Sequence, residues 1–283
     1  MARPEPAIRL VVLDLDGTLL GPDLTITPRV RRAVEAVIAR GVPVVIATGR
    51  MYRSAIRYAS TLDLDGPIVC YQGAYIRETP APDGTPGRVL HERPMRAWVA
   101  REAIRWARRE GFEPHLNIDD RLLMETGDES AEDYERSSGI GAEFVPDLVA
   151  VARRRPTKVL AVGHDGLPER VLGRARREFE GLAEVTVSHP EYLEWTQSGV
   201  TKGAAIRWLA RRLGVPLGQV MAVGDQHNDR EMLAVCGHGV AMGGAPDSVR
   251  MAARYTTATW KEDGAALAIE ALVLGRGRLR VAA

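Results

Sequence analysis

The chain has only two cysteines, Cys70 and Cys236, in 283 residues. They are distant in sequence and apolar in setting, so they form neither a disulfide framework nor a zinc pattern. Both read as core thiols. A charge of one sign is also missing: 38 Lys and Arg against 37 Asp and Glu leave a formal +1, which dedicates the chain to no polyanion. The arginine-rich stretch 101–110 and the run Arg153-Arg154-Arg155 read as solvated faces, and no nucleic-acid partner is expected. No stretch approaches the roughly 20 apolar residues that cross a bilayer, and the opening Met1-Ala2-Arg3-Pro4-Glu5-Pro6 lacks the apolar centre of a signal peptide. A cytoplasmic location without a membrane partner is the expectation. Lysine is rare too, with only Lys158, Lys202 and Lys261 among many arginines, so a lysine inside a motif stands out.

What is present is an ordinary globular composition, 45% apolar and 27% charged, long enough for one large or two moderate domains. Residues 8–13 form an apolar run broken only by Arg9, the pattern of a strand buried on both faces in a parallel sheet. Thr27-Pro28 opens a helix whose apolar face carries Val30, Ala33, Val34, Val37 and Ile38, and Gly41 closes it. A strand over 42–47, a helix over 51–62 and a strand over 67–71 continue a βαβ rhythm. The turn-forming stretch 79–87 breaks it.

Between 85 and 190 the pattern predicts strands over 88–91, 113–118, 121–126, 157–163 and 183–188, with helices over 94–110, 129–138, 147–154 and 167–180. Paired strands mixed with helices indicate an α+β insert with an antiparallel sheet. From Thr201 the βα alternation returns, with a strand over 220–223, a helix over 229–234 and a strand over 239–242. The fold class is therefore α/β: a Rossmann-like parallel-sheet core from 1–84 and 191–283, carrying an inserted α+β cap over 85–190. The Gly- and Arg-rich tail 275–280 reads as a frayed end.

Ligands of open parallel sheets bind beyond the carboxyl ends of strands. Asp14-Leu15-Asp16-Gly17-Thr18 follows the first strand, Thr48-Gly49-Arg50 the second, and Gly224-Asp225-Gln226-His227-Asn228-Asp229 a late one, while Lys202 heads a helix. Carboxylates spaced i, i+2 at a strand end, with a third from another strand, suit a hard cation such as Mg2+. With that charge compensated, Asp14 can attack phosphorus as nucleophile while Asp16 protonates the departing alcohol. The Thr48 hydroxyl, the Lys202 ammonium and the amides around Gly17 and Gly49 can clasp the equatorial phosphate oxygens.

DLDGT at 14–18, ATGR at 47–50, TKG at 201–203 and GDQHND at 224–229 resemble, in order, the four motifs of the haloacid dehalogenase superfamily. The insert between the second and third resembles the class IIB cap of its Cof-type phosphatases. That resemblance implies a nucleophile at Asp14, an acid/base at Asp16, and phosphate contacts from Thr48, Lys202 and Asn228. It further implies Mg2+ on the Asp14 carboxylate, the Asp16 carbonyl and Asp225, with Asp229 orienting the shell. Where Cof-type members commonly carry Asn, this chain has Gln72, Gln226 and Gly244. Gly49 and Arg50 join the expected phosphate site, although Arg50 could instead pair with a nearby acid. His227 reads as a turn residue or a proton shuttle.

The expected activity is hydrolysis of a small phosphorylated metabolite, a sugar phosphate, nucleotide or phosphorylated cofactor, by a monomer or homodimer. Two other readings use the same pocket: a phosphotransferase or mutase passing phosphate to a second hydroxyl, and a receiver-like signalling domain. Asp16 and the cap speak against the receiver, since an acid/base beside the nucleophile speeds turnover where a signal needs persistence.

Overall fold

The computed structural model describes residues 8–126, 135, 136 and 138–281. In chain order its strands are β1 (Leu10–Leu13), β2 (Val44–Ile46), β3 (Pro67–Cys70), β4 (Tyr75–Glu78), β5 (Val89–Glu92), β6 (Glu113–Ile118), β7 (Arg121–Met124) and β8 (Ala142–Phe144). They continue with β9 (Lys158–Val162), β10 (Ala183–His189), β11 (Tyr192–Gln197), β12 (Val220–Gly224), β13 (His238–Ala241), β14 (Tyr255–Thr256) and β15 (Arg280–Val281).

The core sheet has the order β15-β14-β13-β12-β1-β2 and is parallel except for its β15 edge. Both its faces are covered, which is why β1 is apolar at every position. Val11 and Leu13 enter one hydrophobic cluster, and Leu10 and Val12 enter the other. Each such fully buried side chain contributes about 1.5–3 kcal/mol. The helix Pro28–Ile38 starts as its sequence dictates: Pro28 takes the first turn and the Thr27 hydroxyl accepts the Val30 amide.

A second sheet, β10-β11-β9-β6-β7-β8, buries one face against the helices Ala97–Arg109 and Leu167–Glu178. The two-residue period of its strands decides what faces the other way. Val159 and Ala161 of β9 and Leu193 and Trp195 of β11 belong to that helix-side cluster. Lys158, Leu160 and Val162, and with them Tyr192, Glu194 and Thr196, therefore turn to the opposite face. There Leu160 and Val162 join the cluster of the parallel core. The inserted sheet thus presents Lys158 and Glu194, both buried, toward the core.

Several elements differ from the sequence expectation; β4, β8 and β14 among them are strands that the pattern does not predict. β3 does not extend the parallel sheet: a single bridge, Ala47 to Val69, ties it there, and it forms an antiparallel sheet with β4 and β5. The cause is local, because Tyr71 and Gln72 both take left-handed conformations (φ 52° and 60°) and reverse the chain into β4. β11 was not foreseen as a strand although its residues alternate in period 2, and it pairs with β10 and β9. The late helix begins at Arg230, after a 3-10 turn over His227–Asp229. The tail expected to fray closes the core sheet through β15, antiparallel to β14. The helix expected over 129–138 falls largely outside the described residues.

Candidate active site

The carboxyl ends of β1, β2 and β12 converge, and the residues just beyond them meet. Asp14 follows β1 directly, its amide still donating to Val223 O at 3.0 Å, and only 4% of it is exposed. The chain then turns at Gly17 (φ 78°), where a Cβ would also collide with the Asp225 carboxylate. Leu20 closes the turn by donating its amide to Leu15 O at 2.8 Å. The Thr18 hydroxyl reaches Asp225 Oδ1 at 3.3 Å.

Lys202 opens the helix Lys202–Arg212, which Thr201 caps by accepting the Ala204 amide. Fully buried, its ammonium donates to Asp14 Oδ1 and to Asp229 Oδ1, each at 2.6 Å. The second Asp229 oxygen accepts the amides of Asp225 and Gln226, at 3.0 and 3.1 Å. Asp229 is thereby committed on both sides. Oxygens of Asp14, Asp225 and Asp229 lie within 4.8 Å of one another.

Three carboxylates facing one ammonium in a largely buried pocket leave unbalanced negative charge. Burial, and then the neighbouring Asp229, raise Asp14 well above the usual carboxylate range and push Asp225 up to about 7. Burial works against the charge on Lys202, but Asp14 and Asp229 outweigh it and hold the ammonium above its ordinary value. An all-oxygen donor set with surplus charge fits a hard metal cation. Because both Asp229 oxygens are already engaged, Asp14 and Asp225 are the carboxylates suited to hold it.

Asp16 stands apart from this group, at the rim. It is exposed, and Arg50 grips it with two bonds, Nη2 to Oδ1 at 2.6 Å and Nε to Oδ2 at 2.8 Å. Arg50 also reaches Ser54 Oγ at 3.3 Å, and its guanidinium carbon lies 5.6 Å from the Tyr58 ring centre. Thr48 is buried, and its hydroxyl oxygen accepts the Arg50 amide at 3.1 Å. His227 lies 3.3 Å from the Ser248 hydroxyl.

A second polar group comes from the inserted sheet. Lys158 Nζ donates to Gly49 O at 3.0 Å and to Glu194 Oε1 at 2.9 Å. The Ser188 hydroxyl also donates to Glu194 Oε1 at 2.9 Å, and Gln72 Nε2 donates to Glu194 Oε2 at 2.8 Å. Gln72 Oε1 in turn accepts from Asn228 Nδ2 at 3.0 Å. A chain of bonds, buried at Glu194 and partly buried at its ends, thus runs from the inserted sheet to the expected phosphate residues Gly49 and Asn228. A Cβ at Gly49 would stand 2.4 Å from Gln72 Nε2, so a larger residue there would displace that amide from the chain of bonds.

Lys158, Glu194 and Ser188 had no place among the sequence-based site residues. Lys158 carried a signal, being one of only three lysines in the chain. Between the two groups opens a cavity of about 440 Å³, lined among others by Asp14, Asp16, Arg50, Lys158, Glu194 and Asn228.

The chain is similar to known proteins along most of its length. The haloacid dehalogenase-like hydrolase family matches residues 11–269. A 5-amino-6-(5-phospho-D-ribitylamino)uracil phosphatase of Bacillus subtilis is 30% identical over 91% of this chain and 94% of its own length. An HMP-PP phosphatase of Serratia proteamaculans is 29% identical, over 84% of each chain. Among solved structures, a haloacid dehalogenase-like hydrolase from Bacteroides thetaiotaomicron superposes with a TM-score of 0.79 at 27% identity, covering 93% of this chain and 99% of that one. A subclass IIB sugar phosphatase of the superfamily shares the fold, with a TM-score of 0.79 at 23% identity and coverage of 93% and 98%. Matched along most of its length, the chain belongs to the haloacid dehalogenase-like hydrolases and is an enzyme of the phosphoric monoester hydrolase class.

Proposed function

We propose that the protein is a Mg2+-dependent phosphatase of small phosphorylated metabolites that works through an aspartyl phosphate on Asp14. The observation that carries this reading is the Lys202 ammonium shared at 2.6 Å between Asp14 and Asp229, with Asp225 beside them. That arrangement holds the Asp14 carboxylate rigidly at a strand end, and its surplus negative charge makes a place for a cation beside the bound phosphoryl group. Asp14 and Asp225, with the Asp16 carbonyl, would hold Mg2+, and Asp229 would orient them through Lys202 and the two amides. The ion, when bound, offsets the charge of both phosphate and carboxylates, so that an anion can approach an anion.

The remaining work falls to the chain's own side chains. Asp14 attacks the phosphorus, and the bond to the departing alcohol breaks as Asp16 supplies its proton. Arg50 holds both Asp16 oxygens at the cavity rim, and Asp16 carries the proton once that grip opens on substrate binding. Asp16 then takes a proton from the water that attacks the aspartyl phosphate, releasing inorganic phosphate and restoring Asp14. Thr48, Gly49, Lys202 and Asn228 hold the phosphoryl oxygens.

The inserted α+β unit acts as a cap that closes over residues 14–18 and 48–50 and excludes water. We draw this unit from between Glu92 and Ala97 to just after Gln197, in place of the 85–190 read from the sequence, because β5 pairs with β4 and β11 pairs with β9 and β10. Substrates of the general kind named for the relatives, small phosphate esters of metabolites, are the class expected. The test is Asp14→Asn: phosphate release from a panel of phosphorylated metabolites in Mg2+ should fall at least a thousandfold with folding intact. Substantial turnover by a folded variant would remove Asp14 from the mechanism.

A further inference from the structure

Resting on the phosphatase reading, we propose that Trp260 selects phosphate esters whose alcohol is carried on a flat unsaturated ring, by stacking on that ring beside Asp14. The cavity has two unlike sides. Its polar groups from the inserted sheet, Lys158, Glu194 and Ser188, already bond one another. These bonds take up part of the capacity that the hydroxyls of a sugar would need. The rest of the wall includes Leu20, Leu24 and Trp260 from the core and Tyr192 and His189 from the cap, the last two rings 4.7 Å apart. A cavity of about 440 Å³ accepts one ring-bearing metabolite.

Trp260 is held before any ligand arrives. It opens a 3-10 turn closed by a reciprocal cap, in which the Thr259 amide and hydroxyl both donate to Glu262 Oε2 (3.2 and 2.8 Å) and the Glu262 amide donates to Thr259 O (3.1 Å). The next residue, Asp263, accepts the Thr27 hydroxyl at 2.5 Å, which ties the turn to the first core helix. The indole lies against the backbone of Gly21, where a Cβ would stand 2.5 Å from its Cζ3. Gly21 lies on the loop that follows Asp14 and Asp16, so the core alone sets where the ring sits along that loop. A rigid aromatic face loses little entropy on binding, and one stacked ring shifts affinity by about tenfold.

The experiment uses the full chain in Mg2+ and measures phosphate release from pyridoxal phosphate, glucose 6-phosphate and acetyl phosphate. Two variants are compared with the parent: Trp260→Leu, which keeps an apolar side chain but loses the ring, and Trp260→Phe, which keeps a ring. The parent should prefer pyridoxal phosphate over glucose 6-phosphate by about tenfold or more in kcat/KM. Trp260→Leu should raise KM for pyridoxal phosphate about tenfold while acetyl phosphate stays within about twofold, and Trp260→Phe should recover most of the difference. No ring preference in the parent, or equal effects of Leu and Phe, or equal losses on all three substrates, would overturn the assignment. Inactivity of the folded parent toward all three, acetyl phosphate included, would instead overturn the phosphatase reading beneath it.

Discussion

Replacing Asp225 with asparagine should make the metal-free protein more stable at neutral pH while removing its response to Mg2+. Burial and the nearby Asp229 push the Asp225 carboxyl up to about 7 in the fold, against 3.8 without those surroundings. Between those values the folded chain holds a proton that the unfolded chain has released. The unfolded state therefore binds fewer protons, and stability falls as pH rises from about 4 to about 7. At about 1.4 kcal/mol per unit, the interval is worth at most roughly 4 kcal/mol, shared with Asp14, which the same neighbours raise. Asparagine keeps the shape and an acceptor for Thr18 but carries no charge. In EDTA, urea unfolding should show the variant and parent equal near pH 4, and the variant about 2–4 kcal/mol more stable at pH 8. Mg2+ at about a hundredfold over its dissociation constant should restore roughly 2.7 kcal/mol to the parent and almost nothing to the variant. A variant less stable than the parent at pH 8, or one stabilised equally by Mg2+, would refute both the crowded-carboxylate picture and the metal assignment.

Ca2+ should inhibit where Mg2+ activates, because a larger ion taking more oxygens can engage both Asp14 oxygens and hold them from in-line attack; normal rates in Ca2+ alone would count against that explanation. Lys158→Met strands the buried Glu194 charge and removes the bond to Gly49 O, so it should cost about 3 kcal/mol in urea unfolding. Adding Glu194→Gln should return at least about half of that, and a single variant within about 1 kcal/mol of the parent would show the pair to be dispensable.

The part of the site built from short segments was legible in the sequence. Asp14 and Asp16, Thr48 to Arg50, Lys202 and the stretch from Asp225 to Asp229 each follow a strand or head a helix. Chain order and the preference of open sheets for binding at strand ends bring such segments together. What escaped depends on contacts distant in sequence. The Arg50 grip on Asp16 became a fact only once β1 and β2 were seen side by side. Gln72 stood out as an unusual residue, but its role follows from a left-handed turn that two non-glycine residues adopt under tertiary constraint.

Glu194 was hidden for another reason: it lies on a strand buried on both faces, where one side is helix packing and the other an active-site wall. Polar residues at alternate positions of such a strand mimic a solvent face. The same ambiguity concealed β11 itself. Trp260, in a turn between elements, gave no periodic signal at all, and it enters the account only because it lines the cavity.

The most direct measurement is to quench the protein with acid while it turns over substrate in Mg2+, reduce it with borohydride, and map its peptides by mass. An acyl phosphate on Asp14 should be reduced to the alcohol, so that residue 14, and no other aspartate, changes mass in step with turnover. Rapid phosphate release with residue 14 unmodified at every quench time, or with the change at Asp16 or Asp225 in its place, would contradict Asp14 as the nucleophile.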